Sequence, residues 1–231
     1  MTPLQMPDGA TIDLRHLLII GAGPGVGGGI ARRFGRGGYH VTLLARSTDG
    51  VGKLADALVD TGAVVGTLTA DAGDPEDLRA SLTALYARAE APGLVVYNAA
   101  QGAPDSLMPI EARDLHRAYA VDVVGAVVAT QVAAPAMQAA GGGTILFTGG
   151  GFADYPVPAL ATLSLGKAAL RSAATILSAE LAETRVRVAS ITIAGQVAPG
   201  SPFDPDRIAE RYWQIVHSDS DWQSEFRFEG S

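Results

Sequence analysis

The residues of this chain whose types and spacing point most directly to chemistry are Gly21, Gly25 and Gly27. They lie in Gly21-Ala22-Gly23-Pro24-Gly25-Val26-Gly27, directly after the apolar run Leu17-Leu18-Ile19-Ile20. A helix-like segment (Ile30, Ala31, Phe34), a Gly37-Gly38 break and a second apolar run, Tyr39 to Leu44, follow. Strand, glycine loop, helix and parallel strand within about thirty residues make the unit that binds a dinucleotide. A tight turn, close backbone approach to a pyrophosphate and close helix–sheet packing all exclude a Cβ. The helix opening at Val26 turns free N–H groups and its positive dipole end toward phosphate.

The elements that must position such a loop can be read from the rest of the chain. Strands are expected at 63–70, 94–97, 144–148, 186–193 and 225–228. Helices are expected at 75–89, capped by Asp74, at 110–138, at 159–183 and at 206–216. Alternation of this kind predicts an α/β fold, a doubly wound parallel sheet of Rossmann type in a single domain spanning 1–231. Residues 1–12 read as a flexible N-terminal segment without the basic and apolar regions of a signal peptide.

Composition narrows the function classes. The length of 231 residues suits one α/β domain with a sizeable core. A net charge of −7 argues against nucleic acid or an anionic membrane as partner. With no cysteine there are no disulfides, no thiolate chemistry and no Cys-based metal site, and no metal is expected. The apolar run 121–140 carries Asp122, Gln131, Pro135 and Gln138 and reads as a buried helix, not a membrane span. Cytoplasm is the expected compartment.

Over nearly its whole length the chain resembles the short-chain dehydrogenase/reductase family. Gly21, Gly25 and Gly27 match that family's Gly-x-x-x-Gly-x-Gly spacing; Gly23, Gly25 and Gly28 fit the alternative Gly-x-Gly-x-x-Gly register, but the strand ends at Ile20. Asp71-Ala72 falls where the family places an aspartate near the adenine, and Tyr97-Asn98-Ala99-Ala100 retains the central Asn-Ala of its Asn-Asn-Ala-Gly signature. Gly143 to Phe147 matches the run into the fifth strand, and Gly166-Lys167-Ala168-Ala169-Leu170 matches the segment with the active-site lysine. Of 17 basic residues only Lys53 and Lys167 are lysines, so one of two stands at the matching position. The resemblance implies that Lys167 binds the ribose hydroxyls of the nicotinamide half. It also implies a cofactor site at Gly21, Gly25, Val26, Gly27, Asp71, Ala72, Asn98 and Ala99.

The rest of that family's catalytic set is absent. The tyrosine expected one helical turn before the lysine is Leu163, the serine is Gly150, and the helix asparagine is Asp122. Ile193-Ala194-Gly195 replaces the Pro-Gly that follows the sixth strand. Carbonyl reduction needs a hydride on carbon and a proton on the developing alkoxide, and a positioned acid contributes roughly 10²–10⁴-fold. Leucine supplies neither a proton nor a hydrogen bond. The substitute donors weighed are Tyr155, in a loop expected to line the pocket, and Asp122, as a buried acid. Thr148 and Ser164 flank the vacated positions; His116 and Tyr97 read as a surface and a core residue.

Cofactor choice rests on the residue ending the second strand, where a carboxylate would bind a ribose 2′-OH and repel a 2′-phosphate. Leu44-Ala45-Arg46-Ser47 has no carboxylate before Asp49, and Arg46 with Ser47 can hold a phosphate. That favours NADP(H) over NAD(H). Three functions remain open: an NADP-dependent oxidoreductase of a small-molecule substrate with a non-standard proton donor, a non-redox cyclase, isomerase or dehydratase on the same scaffold, and a catalytically silent NADP(H) sensor. The small apolar residues of helices 110–138 and 159–183 pack closely on more than one side, and in the resembling family these helices form the dimer interface. A homodimer or homotetramer is expected.

Overall fold

A computed structural model describes residues 12–88, 90–218 and 222–230. The strands are β1 (Ile12–Ile20), β2 (His40–Ala45), β3 (Val65–Thr69), β4 (Ala91–Tyr97), β5 (Gly143–Gly150), β6 (Val186–Ile193) and β7 (Glu225–Phe228). They form one seven-stranded sheet in the order β3-β2-β1-β4-β5-β6-β7, every pairing parallel. The helices are α1 (Val26–Arg36), α2 (Thr48–Val59), α3 (Pro75–Tyr86), α4 (Ala112–Tyr119), α5 (Gly125–Ala139), α6 (Ala161–Glu180) and α7 (Pro205–His217). The order reverses between β1 and β4, and the crevice at that switch point is where such sheets bind ligands.

Strand side chains alternate between faces, so one apolar run feeds two cores. Leu18 and Ile20 of β1, Val95 and Tyr97 of β4, and Ile145 and Phe147 of β5 pack with α3, α5 and α6. Leu17 and Ile19, Leu94 and Val96, and Leu146 point the other way and pack with Ile30 of α1, Val51 of α2 and Ile208 of α7. Burial on both faces explains why these strands read as unbroken apolar runs.

Two expectations need correction, and a third falls outside the described residues. Helix α2 was not anticipated; its buried side is only Val51 and Leu58, and Gly50 and Gly52 weaken its helical pattern. The expected helix 110–138 is interrupted, since Ala120–Val124 forms a π-helical turn between α4 and α5. The N-terminal segment 1–12 lies outside the described residues except for Ile12, which opens β1. The helical stretch Ala112–Ala139 is long and apolar enough to cross a membrane, but 72% of its apolar window is buried inside this fold. It is a core helix here.

Candidate active site

Gly21 ends β1 with φ +84°, and a Cβ there would overlap the backbone of Ala99. Only glycine takes this conformation and this contact at no cost. Asn98 secures the junction: its N–H donates to Ile20 O at 2.8 Å and its side-chain Nδ2 to Gly21 O at 2.9 Å. Gly23 and Gly25 face open space, with nothing within 4 Å of a built Cβ, so backbone is presented bare where α1 begins. A cavity of about 300 Å³ lies over the ends of β1, β2 and β4. Gly21, Arg46, Ser47, Asp71, Ala72, Asn98 and Ala99 border it. Gln101 and Val121 complete the wall without having been anticipated.

Arg46 is exposed and makes no hydrogen bond or ion pair among the described residues. Ser47 is the N-cap of α2, yet its hydroxyl caps nothing. Asp71 is committed elsewhere: Oδ1 accepts from Gly73 N at 2.9 Å and Oδ2 lies 3.5 Å from Arg117.

Around the next site the chain is dense with buried polar groups. Lys167 is buried on α6, and its Nζ donates to Thr148 O at 2.7 Å. Burial lowers its amine to about 8, against the opposing pull of Asp122. Asp122 sits in the π turn, 1% exposed. Its Oδ1 accepts from Gln101 N at 2.6 Å, while Oδ2 has no hydrogen-bond partner. Burial raises its carboxyl to about 6, in spite of the Gln101 hydrogen bond and the Lys167 charge. The π turn frees Val121 O, which the buried Tyr97 hydroxyl takes up from β4. A π turn of this kind is often found where function needs a displaced side chain.

Of the other donors weighed from sequence, Ser164 has its hydroxyl proton taken up inside the protein. Thr148 Oγ1 accepts from Tyr212 at 2.9 Å. Ser164 Oγ donates to Leu160 O at 2.8 Å and accepts from Val157 N at 3.0 Å. Tyr155 is 79% exposed, on the rim of a separate apolar cavity. His116 lines another surface hollow, between Leu115 and Tyr119. Gly149 is packed against β6, 3.1 Å from Ile191 O to a built Cβ, whereas a Cβ at Gly150 or Gly151 would meet its neighbours at ordinary contact distance, 3.6 and 3.4 Å at the nearest.

Two positioning residues escaped sequence reasoning. Gly166 is required because a Cβ there would overlap the Asp122 carboxylate. Asp105 caps α6 across the chain, accepting from Ala161 N at 2.6 Å, from Thr162 N at 3.2 Å and from the Thr162 hydroxyl. Burial pushes the Asp105 carboxyl up, but the Thr162 and Ala161 hydrogen bonds prevail and hold it below the ordinary range.

Comparison with known proteins places this geometry. Residues 15–199 match the family model described as short chain dehydrogenase. A bovine (Bos taurus) protein named dehydrogenase/reductase SDR family member 4 is 30% identical over 181 residues; the match covers 77% of this chain and 64% of that protein's length. Among solved structures, L-sorbose reductase from Gluconobacter frateurii, complexed with NADPH and L-sorbose, superposes with a TM-score of 0.82 at 21% identity, covering 96% of this chain and 98% of the other. A 3-ketoacyl-(acyl-carrier-protein) reductase from Brucella melitensis, complexed with NADH, gives 0.81 at 24% identity, covering 94% and 97%. With that family model spanning residues 15–199, this chain belongs to the short-chain dehydrogenase family.

Proposed function

We propose that the protein is an NADP(H)-dependent oxidoreductase acting on a small molecule, and that its nucleotide site is the cavity over β1, β2 and β4. The observation carrying the preference for NADP(H) is Arg46, which among the described residues is an unpaired cation, beside a Ser47 hydroxyl that caps nothing, at the end of β2. A 2′-phosphate would take a charge-assisted hydrogen bond from each. No carboxylate stands at Ala45 to repel it.

The donor set fits a dinucleotide. Bare backbone at Gly23 and Gly25 and the N-terminus of α1 at Val26 and Gly27 accommodate the pyrophosphate, and Asp71 and Ala72 border the adenine side. Lys167 has two N–H groups left after Thr148 O, enough to hold a ribose diol. The bound nucleotide would supply or accept a hydride. The chain's own contribution is to fix its two ends and to exclude water around Lys167 and Asp122.

Fluorescence titration with the two reduced nucleotides tests this. NADPH should bind at least tenfold more tightly than NADH, and Arg46→Ala should remove roughly 1.5–3 kcal/mol of NADPH binding, the range for a hydrogen bond to a charged group. Equal affinities would overturn the assignment. An oligomer is part of the same reading, because Tyr119 and Leu165 are exposed beside Leu115, Val124 and Ala169 on one apolar face of the α4, π-turn and α6 region. Light scattering should give twice or four times the chain mass.

A further inference from the structure

A buried charge pair lies directly behind one side of the nucleotide cavity. Arg46 and Ser47 border that cavity where β2 ends, and Gln101 and Val121 border it beside the segment that follows β4. Asp122 comes next after Val121 in the π turn, and its Oδ1 accepts the Gln101 N–H at 2.6 Å. The carboxylate is thus one residue, and one hydrogen bond, behind the wall. Its Oδ2 has no hydrogen-bond partner, so the charge on that oxygen is left unquenched. Gly166 makes the room: without a Cβ, α6 lets the carboxylate sit one residue from Lys167. Lys167 Nζ in turn donates to Thr148 O of β5. In the strand order β2-β1-β4-β5, three spacings of about 4.8 Å lead from the end of β2 to that lysine. A dinucleotide with its 2′-phosphate on Arg46 and its second ribose on Lys167 would span them, with its nicotinamide end beside this pair.

The two oxidation states of such a nucleotide differ by one charge at the ring: the oxidised nicotinamide is a cation and the reduced one is neutral. The rest of the molecule is shared. A buried ammonium beside the ring therefore penalises the oxidised form alone, and a carboxylate beside the ammonium offsets that penalty. Lys167 and Asp122 are both buried and act on each other, and solvent screens buried charges little. Asp105, the other charge that acts on Asp122, is held at the start of α6 by Ala161 and Thr162. Distance decides whether the effect is large enough to measure. At an effective dielectric of about 20, two unit charges exert the about 1.4 kcal/mol of a tenfold change out to about 12 Å. An asparagine, which the family has at this position, would keep an acceptor for Gln101 but leave the ammonium uncancelled.

We propose that Asp122 sets the balance between the two oxidation states of the bound nucleotide: its charge offsets Lys167 at the nicotinamide end, so that NADP⁺ is retained alongside NADPH. The proposal rests on the assignment of NADP(H) to the cavity over β1, β2 and β4. Asp122 acts here through its charge and not by contact, so it is a tuning residue and not a catalytic one. Its consequence is directional. A site that keeps the oxidised nucleotide is loaded with the form that takes up a hydride, and can serve substrate oxidation as well as reduction.

Calorimetric titration with NADP⁺ and with NADPH at pH 7 tests this on the wild type, Asp122→Asn and Arg46→Ala. The readout is the ratio of the two dissociation constants, oxidised over reduced. Asp122→Asn should raise that ratio at least tenfold, nearly all of it through weaker NADP⁺ binding. Asp122→Ala, which removes the charge without introducing an amide, should move the ratio the same way and decides the matter if the asparagine variant does not fold. Arg46→Ala should weaken both forms alike, because it acts on the end they share. A residue that merely shaped the fold would also weaken both together. An unchanged or lowered ratio in the folded Asp122 variant, or an equal rise in Arg46→Ala, overturns the proposal while the nucleotide assignment stands. If neither form binds the wild type, both readings fall.

Discussion

Gly166 and Asp122 are complementary: the carboxylate occupies the space that any side chain at position 166 would need. A Cβ built on Gly166 would overlap Oδ2 and lie 2.6 Å from the Asp122 Cβ and 2.8 Å from its Cγ. A buried acid in the π turn is thus accommodated by an absent side chain on α6, one residue before Lys167. Gly166→Ala should destabilise the fold by roughly 1–3 kcal/mol, as overpacking of a tight interior does. Asp122→Gly, which removes the Cβ together with the carboxylate, should relieve that clash, so the double variant should be clearly more stable than the sum of the single changes predicts. Additive urea-denaturation energies would show that the two positions do not share space.

The same pair sets a pH signature. The folded-state value of Asp122, about 6, lies above its ordinary 3.8, so its neutral form is favoured by folding. Its contribution is fully present below about pH 4 and is lost as pH rises through 6, a loss of up to roughly 3 kcal/mol at 1.36 kcal/mol per unit. Lys167 works on the alkaline side. Its folded value, about 8, lies below 10.5, so stability is regained as pH climbs between those values. Between pH 6 and 8 both groups are charged and the burial cost is greatest. The stability difference between Asp122→Asn and wild type should therefore rise in the variant's favour from pH 4 to 7. Denaturation at a series of pH values checks it, and a flat difference would contradict the buried-acid assignment.

Asp105 ties the loop after β4 to the start of α6, 56 and 57 residues away. Asp105→Ala leaves the N–H groups of Ala161 and Thr162 and the Thr162 hydroxyl without their acceptor, and should cost about 1–2 kcal/mol, as loss of an N-cap does. Its depressed carboxyl value means that this stabilisation is present above the unfolded value and lost as pH falls toward the folded one. Asp105→Asn, which keeps an acceptor, should lose less and lose the acid sensitivity. Hydrogen exchange at Ala161 and Thr162 reports the effect locally.

The sheet was legible because strands buried on both faces write themselves as apolar runs, as at 17–20 and 94–97. Helix α2 was not, since two glycines and a two-residue buried stripe leave no helical period to count. The glycine loop and Lys167 could be found by local spacing. The π turn could not, because its displaced carbonyl is held by the Tyr97 hydroxyl, 24 residues away. The Asp105 cap is likewise a long-range contact. Gly166 carried a usable signal: a glycine inside a helix costs about 1 kcal/mol against alanine, so its presence marks a close approach. What approached it needed the fold. Tyr155 lines the Phe152 cavity with its side chain largely exposed, and Asp154 beside it is anchored to Arg171 and Arg227.

Two positions, Leu163 and Gly150, should by themselves withhold ordinary carbonyl chemistry. Leu163 lies on α6 one turn before Lys167 and is 9% exposed, and Gly150 has room for a side chain at ordinary van der Waals distance. Gly150→Ser therefore adds a hydroxyl without forcing a neighbour aside, and Leu163→Tyr puts a phenol within reach of the buried ammonium. Wild type should oxidise NADPH only slowly with simple ketones and aldehydes. The double variant should gain carbonyl reduction toward the roughly 10²–10⁴-fold that a positioned acid contributes. Asp122 limits the gain, because it cancels the positive field that would lower the new phenol's pKa, so adding Asp122→Asn should raise the rate further. Steady-state rates on 1-tetralone across wild type, double and triple variants decide the matter. An ordinary wild-type kcat of about 1–10³ s⁻¹ would mean that another group already donates the proton, and that the leucine and the glycine are not what shapes this site.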